Sequence, residues 1–287
     1  FQYSSSGTSG WSSTPPTPSQ GANTVYVRQL DAVGNASAAT TFTFNYDSIA
    51  NAPILSLTTD TGSGPTDLIT KTADLTVAGE QGASFEYSIN GTSGWSATAP
   101  TPAQGSNTVY ARQIDVAGNT SAASSALTFT YDTVAPAKTT SNAIVANAGA
   151  NGQYDSGETL TFNFAEPIAT GQNPLLVTVT GTNATLGNSN ALTAVNAQGG
   201  FASTFTLTLG STAHIAAGNT FSFAAGSLID KAGNASTAAV TFDAPAVPSI
   251  DNIIASYYSN QTTYRAHTTT DTNSASQFIN LVNGQTL

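Results

Sequence analysis

Carboxylates recur in this chain at spacings that oxygen-seeking chemistry can use. Asp115 and Asn119 stand in the D-x-x-G-N turn "DVAGN", Asp230 and Asn234 in "DKAGN", and the same pattern appears at Asp31 in "DAVGN". Two further acids precede the second and third of these turns at matching places: Asp47 and Glu80 before Asp115, and Asp132 and Glu166 before Asp230. Three carboxylates and an amide supply oxygen donors only, and calcium takes about six to eight such ligands, with carbonyls and water completing the shell. The candidate metal ligands are therefore Asp47, Glu80, Asp115 and Asn119 for one calcium ion, and Asp132, Glu166, Asp230 and Asn234 for a second. D-x-x-G-N is also a good turn by itself, since Asp accepts backbone hydrogen bonds and Gly takes a positive φ. What lifts the two sets above plain turns is that all three acids coincide at both places.

Other chemistry finds little to work with. There is no cysteine, so thiolate metal sites, disulfides and thiol catalysis are all excluded. The two histidines, His214 and His267, lie in different segments with no nucleophile motif beside them, and no Gly-rich loop follows a strand and opens a helix. His214 reads as a loop or edge residue, and the chain as not an enzyme. Asn151, Asp155 and Glu158 in "NGQYDSGE" superficially resemble a calcium loop but lack the EF-hand spacing, and belong in a turn at the opposite end of their domain from the two sets.

The elements that must position these acids are repeats. "FQYSSSGTSGW" at Phe1 returns as "FEYSINGTSGW" at Phe85, and 27 of the first 40 aligned positions are identical. A period of this length marks a tandem array of whole domains. In the complete copy, "ILSL" (54–57), "DLTVAG" (74–79), "SFEYSI" (84–89), "NTVYARQID" (107–115) and "ALTFTYD" (126–132) alternate as half-buried strands, with Gly, Asn, Asp and Pro turns between them. Six or seven short strands predict an antiparallel β-sandwich of the immunoglobulin or fibronectin III kind, all-β and elongated as an array. In "TVYVRQ" the spacing turns Val25 and Val27 to the core and Tyr26 and Arg28 outward. Trp11 and Trp95 are expected to pin a loop onto the sandwich; the alternative is that they bind a glycan or protein.

The expected domains are 1–47, a partial repeat without its first strands; 48–132, a complete repeat; 133–244, a longer divergent sandwich; and 245–287, a linker and a Thr, Ser and Asn-rich tail. Strands of the third are expected at 158–167, 174–181, 203–210, 219–226 and 238–243, and "FINLV" (278–282) is a candidate strand of the tail. On this plan the turns after "DLTVAG" (74–79) and "NTVYARQID" (107–115), and after their counterparts in the next domain, lie at the end where the polypeptide enters a domain, facing the incoming linker. Asp47 then approaches Glu80 and Asp115, and Asp132 approaches Glu166 and Asp230. The first copy starts directly at the segment corresponding to Phe85. Either the sequence is cut from a longer array, or its first strands come from another molecule, for which the tail segment 268–282 is the candidate donor in a head-to-tail filament.

Composition sets the surroundings. Charged residues are only 8% of the sequence and the net charge is -10, so nucleic acid and anionic membranes are repelled while cations are attracted. No apolar run is long enough for a membrane-spanning helix. Phe1 is not a start methionine and no signal peptide precedes it, so the sequence reads as processed or as part of a longer protein. Asn35, Asn90, Asn119, Asn183, Asn234 and Asn260 begin N-x-[ST] sequons, which arise readily in a protein of this composition.

With "DTVAPA" (132–137), "TTDTGSGPTD" (58–67), "FEYSINGTSGW" and "RQIDVAGNTSAA" (112–123) in view, the sequence resembles the bacterial immunoglobulin-like tandem repeats of large surface adhesins and biofilm proteins exported by type I secretion, RTX-like proteins among them. The resemblance covers 1–137, thins over 138–244 to "GQYDSGETLTFNFAEP" and "DKAGNAS", and does not reach the tail. It implies an extracellular or cell-surface structural role as a stalk stiffened by calcium. The expected partners are neighbouring repeats or subunits, with a surface glycan or protein as partner in the alternative reading as a binding module, and the charge and composition exclude nucleic acid and direct membrane insertion. A sheath or surface-layer filament subunit is the structural alternative.

Overall fold

The computed structural model describes residues 1–141, 143–146, 154–171 and 176–246, and every helix or strand assigned among them is a β-strand. Two compact units form: Phe1–Ala135 with Ile229–Ala235, and Pro136–Leu228 with Ser236–Leu287. The "FINLV" segment, the rest of 247–287 with its proposed strand donor, Asn151, Asn260, His267 and the first part of the strand expected at 174–181 lie outside the described residues.

In the first unit β1 (Gln2–Ser4), β2 (Gly21–Arg28) and β3 (Thr40–Tyr46) make an antiparallel sheet in the order β1-β2-β3. The second copy adds β4 (Ile54–Leu57), β5 (Ile69–Thr70), β6 (Leu75–Ala78), β7 (Ser84–Ser88), β8 (Gly105–Ile114) and β9 (Leu127–Tyr131). Strands β7, β8 and β9 repeat the first sheet, and β5 extends it by running parallel to β9; β4 and β6 pair separately as an antiparallel two-strand sheet. Strand β5 escapes sequence patterning because two residues show no period.

The "GTSGW" loop is fastened in the same way in both copies. Tyr3 N–H donates to Ser12 C=O and Tyr87 N–H to Ser96 C=O, each at 2.7 Å, so the loop runs along the outer strand of its sheet. The Arg28 guanidinium lies 4.1 Å from the Trp11 ring centroid and that of Arg112 4.6 Å from Trp95. Arg28 is held by Gln2 Oε1, and Arg112 by an ion pair with Glu86 at 2.7 Å. Both indoles are half-buried, with a cation on the ring. The first glycine of the motif is required: Gly91 has φ +72°, and a Cβ there would meet the Tyr110 ring at 2.9 Å.

Alternation is sharp in the second copy and blurred in the first. Val109, Ala111 and Gln113 on β8 are buried while Tyr110 and Arg112 are half-buried, and Val109, Leu127 and Phe129 form a core with Leu55, Leu57 and Leu75 packed on it. The corresponding Val25, Tyr26, Val27 and Arg28 are all half-buried. The expected inward and outward division therefore does not appear in β2, where no strand pair equivalent to β4 and β6 covers the apolar face among the described residues.

The second unit comprises β10 (Ile144–Ala146), β11 (Thr159–Ala169), β12 (Val177–Thr180), β13 (Ala191–Val195), β14 (Phe201–Thr208), β15 (Thr220–Phe223) and β16 (Val240–Asp243). Two antiparallel sheets, β10-β11-β14-β13 and β12-β15-β16, share one core. Leu160, Phe162 and Phe164 of β11 and Phe205 and Leu207 of β14 meet Val177, Phe221, Phe223 and Phe242. The register of β11 on β14 shifts between Asn163 and Ile168, where Pro167 has no N–H to give to the ladder. Glu158 accepts the Asp155 N–H at 2.9 Å, so the acids of "YDSGE" hold their own turn. Tyr154 donates its hydroxyl to Pro245 C=O at 2.6 Å, and burial, with Glu158 adding its charge, pushes its phenol up to about 12. His214 is exposed and pairs by its backbone with Thr185.

Candidate metal centre

Asp47 follows β3, Glu80 follows β6, and Asp115 follows β8, so three different strand ends deliver the three acids. One carboxylate oxygen from each lies within 4.8 Å of the others. Asp115 is buried at 8% exposure, and Asp47 and Glu80 are half-buried. At such separations like charges repel by about 3–4 kcal/mol per pair at an effective dielectric of roughly 20, and by less where water screens them. The hydrogen bonds that reach these carboxylates come from amides rather than from lysine or arginine. Asp47 Oδ1 accepts from the Gln20 side-chain amide and from Ile49 N–H. Glu80 Oε1 accepts from Asn51 N–H at 2.8 Å and Nδ2 at 3.0 Å. Asp115 accepts from Asn119 N–H and Nδ2, both at 2.8 Å.

Asn119 is a positioning residue here. Its Nδ2 also donates to the Asp47 backbone carbonyl at 3.1 Å, tying the linker to the turn. The Asn119 hydrogen bonds, opposed by burial, hold the Asp115 carboxyl below its ordinary value of 3.8. Asp31 is held low by Asn35 in the same turn, and among the described residues it has no linker or strand-end acid beside it. The turn therefore stands by itself as a hydrogen-bonded motif, and the two added carboxylates are what distinguish Asp115. Because Asn35, Asn119 and Asn234 commit their Nδ2 atoms to these turns, three of the sequons are structural amides.

The positioning residues that sequence reasoning missed are Gln20, Asn51 and Gln113. Gln20 had a signal, because Gln104 repeats it in the second copy and grips Asp132 likewise. Gln113 is fully buried; its Oε1 accepts the Glu80 N–H at 2.8 Å, and among the described residues its Nε2 has no hydrogen-bond partner. An unmet buried donor costs about 1–3 kcal/mol, and Leu228, fully buried, occupies the matching position before Asp230. Gln113 thus exchanges stability for a fixed Glu80 backbone. Gly79 leaves room for it: a Cβ there would meet Gln113 Oε1 at 2.2 Å and the Phe85 ring at 2.6 Å. Gly79→Ala is expected to destabilise the first unit by about 1–3 kcal/mol, read as a lower urea midpoint, whereas an unchanged midpoint would show that Gln113 is not held there.

The second set is repeated in part within the first unit. Asn234 Nδ2 donates to Asp132 C=O at 2.9 Å and to Asp230 Oδ2 at 2.8 Å, and Asn234 N–H to Asp230 Oδ1 at 2.8 Å, matching Asn119. Asp230 is buried at 2% exposure. Glu166 belongs to the second unit, half-buried on β11 at its register shift.

The oxygen-only donor set, the convergence of three carboxylates and their amide supports fit a hard divalent cation better than a soft one. No protein-family model and no curated protein matches this sequence.

Proposed function

We propose that the protein is a structural module of an extracellular bacterial adhesin stalk or filament, built from tandem immunoglobulin-like sandwiches and stiffened by calcium. The observation that carries this reading is the triad Asp47, Glu80 and Asp115, whose carboxylate oxygens lie within 4.8 Å of one another at the point where one repeat passes into the next. Asp47, Glu80 and Asp115 would hold the ion and Asn119 would keep linker and turn in place around it. A bound calcium would offset the mutual repulsion of the acids and tie the linker to two strand ends of the following domain, those after β6 and β8. Flexion at the linker would then separate ligands from the ion, which is how a metal makes a joint rigid.

The internal repeat and the low charge content support a protein that works by extension. The half-buried indoles of Trp11 and Trp95, each carrying a guanidinium on its ring, support packing rather than ligand capture. Calorimetric titration of chelator-treated protein with calcium tests the proposal directly. Saturable binding that Asp115→Asn weakens at least about tenfold, with magnesium binding more weakly, is the expected result. No saturable heat with calcium, or binding indifferent to Asp115→Asn and Glu80→Gln, would overturn the metal reading.

A further inference from the structure

We propose that the apolar face of the β1-β2-β3 sheet is a docking site for a strand pair of the same repeat type as β4 and β6. The second copy shows how such a face is covered. There Leu127 and Phe129 on β9 are 8% and 3% exposed and Val109 and Ala111 on β8 are 4% and 0%, with Leu55, Leu57 and Leu75 of β4 and β6 packed against this core. In the first copy the matching residues are Phe42 and Phe44 on β3 and Val25 and Val27 on β2. Phe42 is 60% exposed, Tyr46 is 39% exposed, and the other three are only half-buried. The Phe42 and Phe44 rings stack at 5.4 Å between centroids on this open face.

The edge of the sheet points to the same occupant. Strand β3 is the last strand of its sheet, whereas its counterpart β9 carries β5, with Thr130 N–H donating to Leu68 C=O at 2.7 Å and Asp132 N–H to Thr70 C=O at 2.9 Å. One incoming segment laid out as 47–82 would thus cover the face with two antiparallel strands and extend the β3 edge with a third. It would also bring a linker aspartate and a strand-end glutamate to Asp31, whose turn matches that of Asp115 hydrogen bond for hydrogen bond. The apolar docking rests on the internal repeat alone; only this last consequence depends on the calcium reading.

The test uses the whole protein and a synthetic peptide of its residues 47–82, mixed in chelator so that metal plays no part. Expected are saturable one-to-one binding with a Kd of about 10 µM or tighter, a weakening of at least about tenfold by Phe42→Asp, and no change with Ile144→Asp in the second unit. A peptide with Leu55, Leu57 and Leu75 all replaced by serine should not bind. If the peptide self-associates, residues 48–84 fused ahead of Phe1 give the same answer in one polypeptide: binding of an apolar dye at Phe42 should fall, and Phe42→Asp should become destabilising. Absence of peptide binding together with a fused protein whose Phe42 stays accessible overturns the proposal, as does binding that Phe42→Asp leaves intact.

Discussion

Phe162→Ala is expected to lower the unfolding free energy of the second unit by about 3–5 kcal/mol. Phe162 is fully buried on β11 and meets Phe221, Phe223 and Phe242 at centroid distances of 5.5, 5.3 and 5.1 Å, all edge-on. These three rings come from β15 and β16, so a single residue of one sheet meets two strands of the other. Truncation removes the transfer free energy of the ring, leaves a cavity bounded by rigid aromatics that cannot easily collapse, and deletes three ring pairs each worth about 0.5–1.5 kcal/mol beyond area. Both tryptophans, Trp11 and Trp95, lie in the first unit. Circular dichroism in urea should therefore show an earlier transition for the second unit, which tryptophan fluorescence, reporting the first unit, does not follow directly. A shift of less than about 1 kcal/mol would mean that the core repacks around the gap.

The same strand shows what the sequence makes legible. "TLTFNF" alternates without interruption, and Leu160, Phe162 and Phe164 are all buried, because strand period and burial are one constraint when a sheet faces a core. The all-β class follows from such segments, and the strands expected at 203–210 and 238–243 appear as Phe201–Thr208 and Val240–Asp243. Alternation says nothing about whether a partner is present, which is why Val25 and Val27 read as core residues and are only half-buried. Short pairings such as Ile69–Thr70 depend on register with Thr130 and Tyr131, a long-range fact that two residues cannot encode. At the candidate metal centre, the acids are visible because they recur with their turns. Gln113 is hidden because alternation places it on the buried face, where its value lies in one hydrogen bond to Glu80 that only the fold reveals.

Calcium added to chelator-treated protein should raise the thermal midpoint of the first unit, followed by tryptophan fluorescence, by roughly 5–15 °C. That range corresponds to about 2.7 kcal/mol of binding free energy when free calcium is 100 times its Kd. Asp47→Asn with Glu80→Gln should abolish the calcium-dependent rise and raise the calcium-free midpoint, because the repulsion among the three acids within 4.8 Å is relieved. A calcium-independent midpoint in the unmutated protein would refute the stiffening role. The pH dependence has a definite sign. Asp115 has a folded pKa below its ordinary value of 3.8, chiefly through the Asn119 side-chain amide, so its contribution is complete above that value and is lost as pH falls through the folded one. Protons compete with calcium for the same oxygens, so the calcium-dependent rise should be full at pH 7 and vanish on acidification through the carboxylate range. Asn119→Ala removes both the support of Asp115 and the tie to the Asp47 carbonyl. It should move the acid transition to higher pH and weaken calcium binding together, whereas a turn serving only as a turn would show the first effect without the second.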